Sequence, residues 1–369
     1  MTREQNIMLR LVLLGIGKAQ PTEADARMLC DEAVNWPAVI DMTYRHNVPV
    51  IATDGYAAVK QAFPLTEHGL QAERMYDDRV DWVGLTMTAE GLYHNQRQAI
   101  RQLAKFYAKR GIDMMLLKGY GLSLNYPVPQ HRLVGDIDIF LFGKWQEADE
   151  AIRQKGIEVK MDSEHHTKFM LGNYSVENHY DFVNTRIRRS SRSLERVFKD
   201  LAMNDTRTSI DIDGRTVFVP SPNLNALFLL RHTAGHFASE GIFLRHVLDW
   251  AFFVEKNSER VDWPWLYRIA TEYNMHRFLC SLNAICIRHL GFDKALFHQP
   301  EDLVTTTEMD ERVLNEILQG IITEGGGTTL GRTLRWWRHR WKHSICYSDS
   351  MLSSFLTSIT ANILPTSIK

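Results

Sequence analysis

The residues best placed to do chemistry are two aspartates one position apart, Asp136 and Asp138, in the stretch from Gly135 to Phe140. In a strand, side chains alternate faces, so both carboxylates stand on one side and Ile137 and Ile139 on the other. Two adjacent carboxylates repel each other unless a cation lies between their oxygens. The hard ion Mg²⁺, with Mn²⁺ as a substitute, takes carboxylate and phosphate oxygens together. Upstream, the apolar run Met114 to Leu117 ends at Lys118-Gly119. Glycine lets a backbone approach a ligand closely, and lysine brings a point charge suited to phosphate. Arg132 and Gly135 lead into the aspartate pair. Lys118 and Arg132 are therefore expected to flank the space above the carboxylates as phosphate ligands, with Gly119 and Gly135 beside them. Pairing of Lys118 with the aspartates is the competing role.

Transfer chemistry at such a pair calls for a third carboxylate to complete the metal site. Glu177, His179 and Asp181 share one face of the stretch from Ser175 to Val183 if it is a strand. His179 is expected to orient a carboxylate or to touch substrate. His165 and His166 precede another strand; on it they would face opposite ways and would not share a metal, which leaves them as substrate-side candidates. A second D-x-D, Asp211 and Asp213, falls in a turn and reads as structural.

A different chemistry is offered by His232 and His236, which at i and i+4 share one face of a helix. They can contact substrate or bind zinc, and with Asp249 they would make a metal-dependent hydrolase. The glutamate of a zinc-protease motif is missing, since Thr233 follows His232. Arg245 and Asp249 are also i and i+4, spaced to pair across one helical turn, and Arg245, like the two histidines, is a candidate to contact substrate.

These residues need elements to hold them. Residues 1–110 read as helical. Thr22 with Asp25 gives a cap, Trp36-Pro37 opens a helix that His46 to Pro49 ends, and residues 86–110 form a long helix with a stripe of Leu92, Ala99, Leu103 and Phe106. Residues 111–220 alternate strands with short helices and close with a hairpin over 208–220, around Asp213-Gly214. Residues 221–369 read as a second helical region, with a Gly/Thr-rich loop at 323–333. The basic, tryptophan-rich run 332–343 could make a weak contact with an anionic surface.

With 44% hydrophobic and 24% charged residues the composition is that of a globular protein, and a net charge of −1 gives no general pull toward polyanions. The four cysteines lack C-x-x-C spacing, which argues against a zinc knuckle or a disulfide framework and for reduced thiols in the cytoplasm. The N-terminal apolar run is broken by Arg10 and has no small-x-small cleavage site, so it reads as an amphipathic helix. No run approaches ~18 apolar residues, so no transmembrane helix is expected.

Together, Leu116-Leu117-Lys118-Gly119 and Arg132-x-x-Gly135-Asp136-Ile137-Asp138-Ile139 resemble a bacterial family of uncharacterised nucleotidyltransferases within the polymerase-β-type superfamily. The region around Trp36, the Val176 to Tyr180 segment and the stretch His232 to Asp249 are similar to that family as well. The resemblance implies an α+β fold, with a mixed-sheet nucleotidyltransferase core flanked by N- and C-terminal helical regions. It implies Mg²⁺-dependent transfer of a nucleoside monophosphate from an NTP such as ATP to an acceptor, whether small molecule, sugar or protein. It puts Asp136, Asp138 and Glu177 at the metal, with Asp181 as the runner-up to Glu177. A nucleotide-binding protein of the same fold without turnover is the remaining alternative.

Overall fold

A seven-stranded mixed sheet carries the aspartate pair, in the spatial order β3-β4-β5-β2-β1-β7-β6. Its strands are β1 (Met115–Leu116), β2 (Ile137–Phe140), β3 (Lys160–Met161), β4 (His166–Leu171), β5 (Tyr174–His179), β6 (Thr208–Asp211) and β7 (Thr216–Val219). The computed structural model describes residues 1–63, 81–161, 165–186, 188–319 and 340–349. The two-residue β1 is the joint of the sheet: it runs antiparallel to β2 and parallel to β7. β2 is parallel to β5, reached through a crossover that includes the helix Trp145–Arg153. β4–β5 and β6–β7 are hairpins, and the latter turns at Asp213-Gly214 as its sequence requires.

The sheet is packed on both faces, which is why β2 is buried at all four positions. One face lies under the long helix Trp82–Ala108. Ile100, Leu103 and Tyr107 of that helix join Leu116, Ile137, Ile139, Phe169 and Val176 in one cluster. Each such aliphatic side chain contributes roughly 1.5–3 kcal/mol on burial. Leu92, expected on the inward stripe, instead remains 46% exposed, and its backbone carbonyl accepts a hydrogen bond from Tyr174.

On the other side, N-terminal and C-terminal helices share one core. Met8, Leu11 and Val12 of Arg3–Gly15 belong to the same cluster as Trp250, Phe278 and Leu314. Thr22 and Asp25 form the expected capping box, and Asn35 caps the helix Trp36–Arg45. His46, at the end of that helix, is buried rather than solvated. Its Nδ1 accepts the Leu244 N–H at 3.2 Å, and burial pushes its pKa down to about 4. The main C-terminal helices are Pro222–Ser239, Leu244–Asn257, Trp263–Glu272, His276–Leu290 and Thr307–Gln319.

The basic aromatic run is described only from Arg340 onward, where it belongs to the helix Arg340–Cys346. There Lys342 is buried and pairs with Glu316, His343 is buried, and Trp341 packs against the core. This part faces inward, contrary to a surface contact; 332–339 and the Gly/Thr-rich 323–333 lie outside the described residues. No helix among the described residues is long and apolar enough to cross a membrane.

Candidate active site

The sheet register sets the first contact of the site. Asp138 on β2 lies directly beside Glu177 on the parallel strand β5. Asp136 sits just before β2, and all three carboxylates face one cleft. The cleft encloses about 640 Å³, part of it open to solvent, and is also lined by Lys118, Gly119, Arg132, Gly135, His232, Arg245, His246 and Asp249.

The turn after β1 brings its backbone against the aspartates. Gly119 has φ +58°, and a Cβ there would stand 3.2 Å from the Asp136 carbonyl oxygen. A side chain there would be strained by the backbone conformation and would crowd that carbonyl. The loop before β2 is held from the other side, where Gln96 of the long helix donates to the Gly135 carbonyl at 2.7 Å.

The carboxylates are electrostatically unequal. Lys118 Nζ lies 2.8 Å from Asp138 Oδ1, and His179 Nε2 lies 3.1 Å from the same oxygen. Burial pushes the Asp138 carboxyl up, but Lys118 and His179 outweigh it and hold it well below the usual carboxylate range. Glu177 is held low in the same balance, burial against its contact with His179. His179 is driven down by burial and up by both carboxylates, with a net rise. Asp136 is less well compensated: burial, then the charge of Glu177, raise its proton affinity against the opposing charges of Lys168 and Lys118.

Arg132 does not hang free above the carboxylates. It is buried, and its fork closes on Asp249 at 2.6 and 2.8 Å, while Tyr126 donates to the same carboxylate at 2.7 Å. The two parallel donors that would grip phosphate are thus already engaged. Arg245 is correspondingly not the partner of Asp249 that the i, i+4 spacing suggested. Its Nη1 donates to the Leu133 carbonyl at 3.2 Å, and its Nε is buried with no hydrogen-bond partner. Burial, then the neighbouring Arg132, lower its proton affinity.

His232 and His246 line the cleft, their rings 6.2 Å apart, and burial keeps both neutral near pH 7: His232 well below its ordinary value, His246 at about 3. His236 is not among the residues that line the cleft; its ring packs 4.4 Å from that of His232, and it pairs with Glu240. Among the described residues, His232, His236 and Asp249 do not bring their ligand atoms together as a metal would require, and Asp249 is committed to Arg132. Asp181 lies past the end of β5 rather than on its face; it is paired with Lys199 and lies outside the cleft lining. Asp211 and Asp213 are structural: Asp211 accepts the Gly214 N–H, and Asp213 binds Arg97.

His165 and His166 depart from the expectation that they would diverge. β4 begins at His166, so His165 is not on the strand; its carbonyl accepts the Tyr180 and Asp181 N–H groups, and its ring meets that of His166 edge-on at 4.7 Å. Residues not singled out from the sequence include Tyr126 and Gln96. Tyr126 precedes Arg132 by six residues, a spacing with no periodic signal in a loop.

The family model described as uncharacterised nucleotidyltransferase matches residues 56–291, more than half of the chain. None of the curated proteins matches. Among solved structures, the crystal structure of an antigenic nucleotidyltransferase-like protein from Paracoccidioides brasiliensis is similar. It is 14% identical with a TM-score of 0.35, and the match covers 55% of this chain and 96% of that one.

Proposed function

From the premise that this chain belongs to that nucleotidyltransferase family, we propose that it transfers a nucleoside monophosphate from an NTP to an acceptor in a Mg²⁺-dependent reaction. The observation that carries this reading is the convergence of Asp136, Asp138 and Glu177 on one cleft that also holds Lys118 and Arg245. The donor set suits a hard divalent ion: all three are carboxylates, and Asp136 lacks the cation that Asp138 has. Asp136, Asp138 and Glu177 would hold Mg²⁺, which when bound neutralises triphosphate charge and aligns the phosphates for in-line displacement.

The chain's own side chains account for the rest. An acceptor hydroxyl oxygen attacks the α-phosphorus as the bond to the bridging oxygen breaks; pyrophosphate leaves with the electron pair, and the hydroxyl proton passes to water. Arg245 offers an unused buried donor for the phosphates, in place of Arg132. Lys118 occupies a carboxylate that an ion would claim, so its pairing with Asp138 and ion binding there oppose each other; once displaced, Lys118 is free to meet phosphate. His232, whose proton affinity burial lowers, lines the cleft as a neutral hydrogen-bond partner for the acceptor. Arg132, Asp249 and Tyr126 act as the frame that fixes the cleft wall.

The experiment is a thermal-shift screen of the four NTPs with and without Mg²⁺, followed by pyrophosphate release in wild type and in Asp136→Asn, Asp138→Asn and Glu177→Gln. The reading expects at least one NTP to stabilise the chain only with Mg²⁺. It expects turnover to be lost in each variant while the fold is kept. Mg²⁺-dependent binding without pyrophosphate release in wild type would favour a nucleotide-binding protein without turnover. Absence of any Mg²⁺-dependent NTP binding would overturn the proposal.

A further inference from the structure

We infer that His165, His166 and His179 form a binding site for a borderline transition-metal ion of the Zn²⁺ class, distinct from the carboxylate set that faces the cleft. One ring nitrogen from each residue lies within 4.8 Å of the others. His166 and His179 are direct cross-strand partners in β4 and β5, so their side chains share one face of the sheet. Their ring centroids are 5.0 Å apart, and His165 reaches the same place from just ahead of β4, 5.6 Å from His179. A tetrahedral zinc with bonds of about 2.0–2.1 Å requires ligand nitrogens about 3.3 Å apart. Closing that difference requires the three rings to rotate toward one another.

The chemistry of His179 adds a second, independent observation. Its Nε2 faces the Asp138 carboxylate at 3.1 Å, while its Nδ1 is buried with no hydrogen-bond partner. A histidine that ligates a metal through one nitrogen commonly donates the other N–H to a carboxylate, which fixes the tautomer and raises its basicity. Here the carboxylate half of that arrangement is in place, and the remaining lone pair has no other use. Three imidazoles select zinc, cobalt, nickel or copper over magnesium, which prefers oxygen. His179 also stands with Asp138 and Glu177 in a mixed cluster of comparable spacing. The three histidines take the borderline ion, and Asp138 and Glu177 are left to the hard one. It does not depend on the nucleotidyl-transfer reading.

The test uses chelator-treated full-length protein and zinc alone. Titration should give one Zn²⁺ per chain. X-ray absorption of that complex should show three imidazole nitrogens at about 2.0 Å. His165→Ala and His166→Ala should each weaken zinc binding by more than the ~10–100-fold expected for losing an outer-shell partner. Asp136→Asn should bind zinc as wild type does. Absorption spectra dominated by oxygen donors would overturn the proposal even if the variants misfold. So would undiminished zinc affinity in folded His165→Ala, which would place the ion in the mixed cluster.

Discussion

Replacing Lys118 with methionine keeps most of its length and removes its charge, and the structure says where the loss falls. Asp138 has a side chain only 6% exposed, and Lys118 is its nearest cation at 2.8 Å. At an effective dielectric constant near 20, the lost attraction is about 6 kcal/mol before compensation. Two effects reduce it. His179 stays 3.1 Å from the same oxygen, and removing the Lys118 charge, on a side chain only 19% exposed, also removes the cost of its desolvation. Breaking one partner of a buried pair costs about 3–5 kcal/mol, and the surviving histidine puts this case at the lower end, about 3 kcal/mol. For a chain of this length that is a fall in melting temperature of about 4 °C. The sign with pH follows from the depressed folded pKa of Asp138. Its stabilisation is complete above the ordinary carboxylate value of about 3.9 and is lost as pH falls through the folded value. The gap between wild type and variant should therefore be full at pH 7 and close below pH ~4. Because Lys118 and a divalent ion oppose each other at Asp138, Mg²⁺ should raise the melting temperature of the variant more than that of wild type. Scanning calorimetry of both proteins without nucleotide decides the matter. A variant that melts with wild type at pH 7 refutes the compensation argument, and equal gains from Mg²⁺ refute the opposition.

Three other outcomes follow from particular contacts. Asp249→Asn strands the buried Arg132 and should cost about 3–5 kcal/mol by denaturant titration, whereas Tyr126→Phe, which removes one hydrogen bond to Asp249, should cost about 1 kcal/mol. Burial, then Asp181, push the Glu195 carboxyl up to about 8. The folded chain then holds a proton that the unfolded chain releases near 4.3, so stability should fall as pH rises between those values, by up to about 1.4 kcal/mol per unit, and Glu195→Gln should flatten that slope. Gly119→Ala places a side chain at positive φ against the Asp136 carbonyl; it should cost about 1–2 kcal/mol and reduce turnover further by shifting Asp136.

Local pattern made the carboxylate strand readable: Ile137 and Ile139 alternate with the aspartates, and only a strand gives that period two a purpose. The same alternation placed Glu177 and His179 on one side of β5, and the glycine turns at Gly119 and Gly214 were marked by composition. What the chain does not display is register between distant segments. That Asp138 lies beside Glu177 depends on a crossover, and that Arg132 closes on Asp249 rather than on phosphate depends on two loops and a helix meeting. Arg245 and Asp249 satisfied a helical spacing rule, but a bidentate partner from elsewhere outcompeted the neighbour one turn away. His165 was misjudged because strand alternation applies only inside a strand, and β4 starts one residue later. Asp181 failed for the mirror reason, lying beyond the strand's last residue.

The clasp of Arg132 on Asp249 joins positions 117 apart in the chain. At about 5–20 residues per second, a ribosome delivers the aspartate strand roughly 6–23 s before the residue that neutralises its buried arginine. During that interval the sheet also lacks the C-terminal part of the helical layer that covers its second face, since Trp250 and Phe278 have yet to emerge. The nascent chain therefore passes through a stage in which an apolar surface and an uncompensated cation are exposed together, a form suited to capture by a holdase chaperone. Pauses in translation shortly before residue 249 would lengthen that stage, and slower decoding there should lower the yield of folded protein without changing a single amino acid.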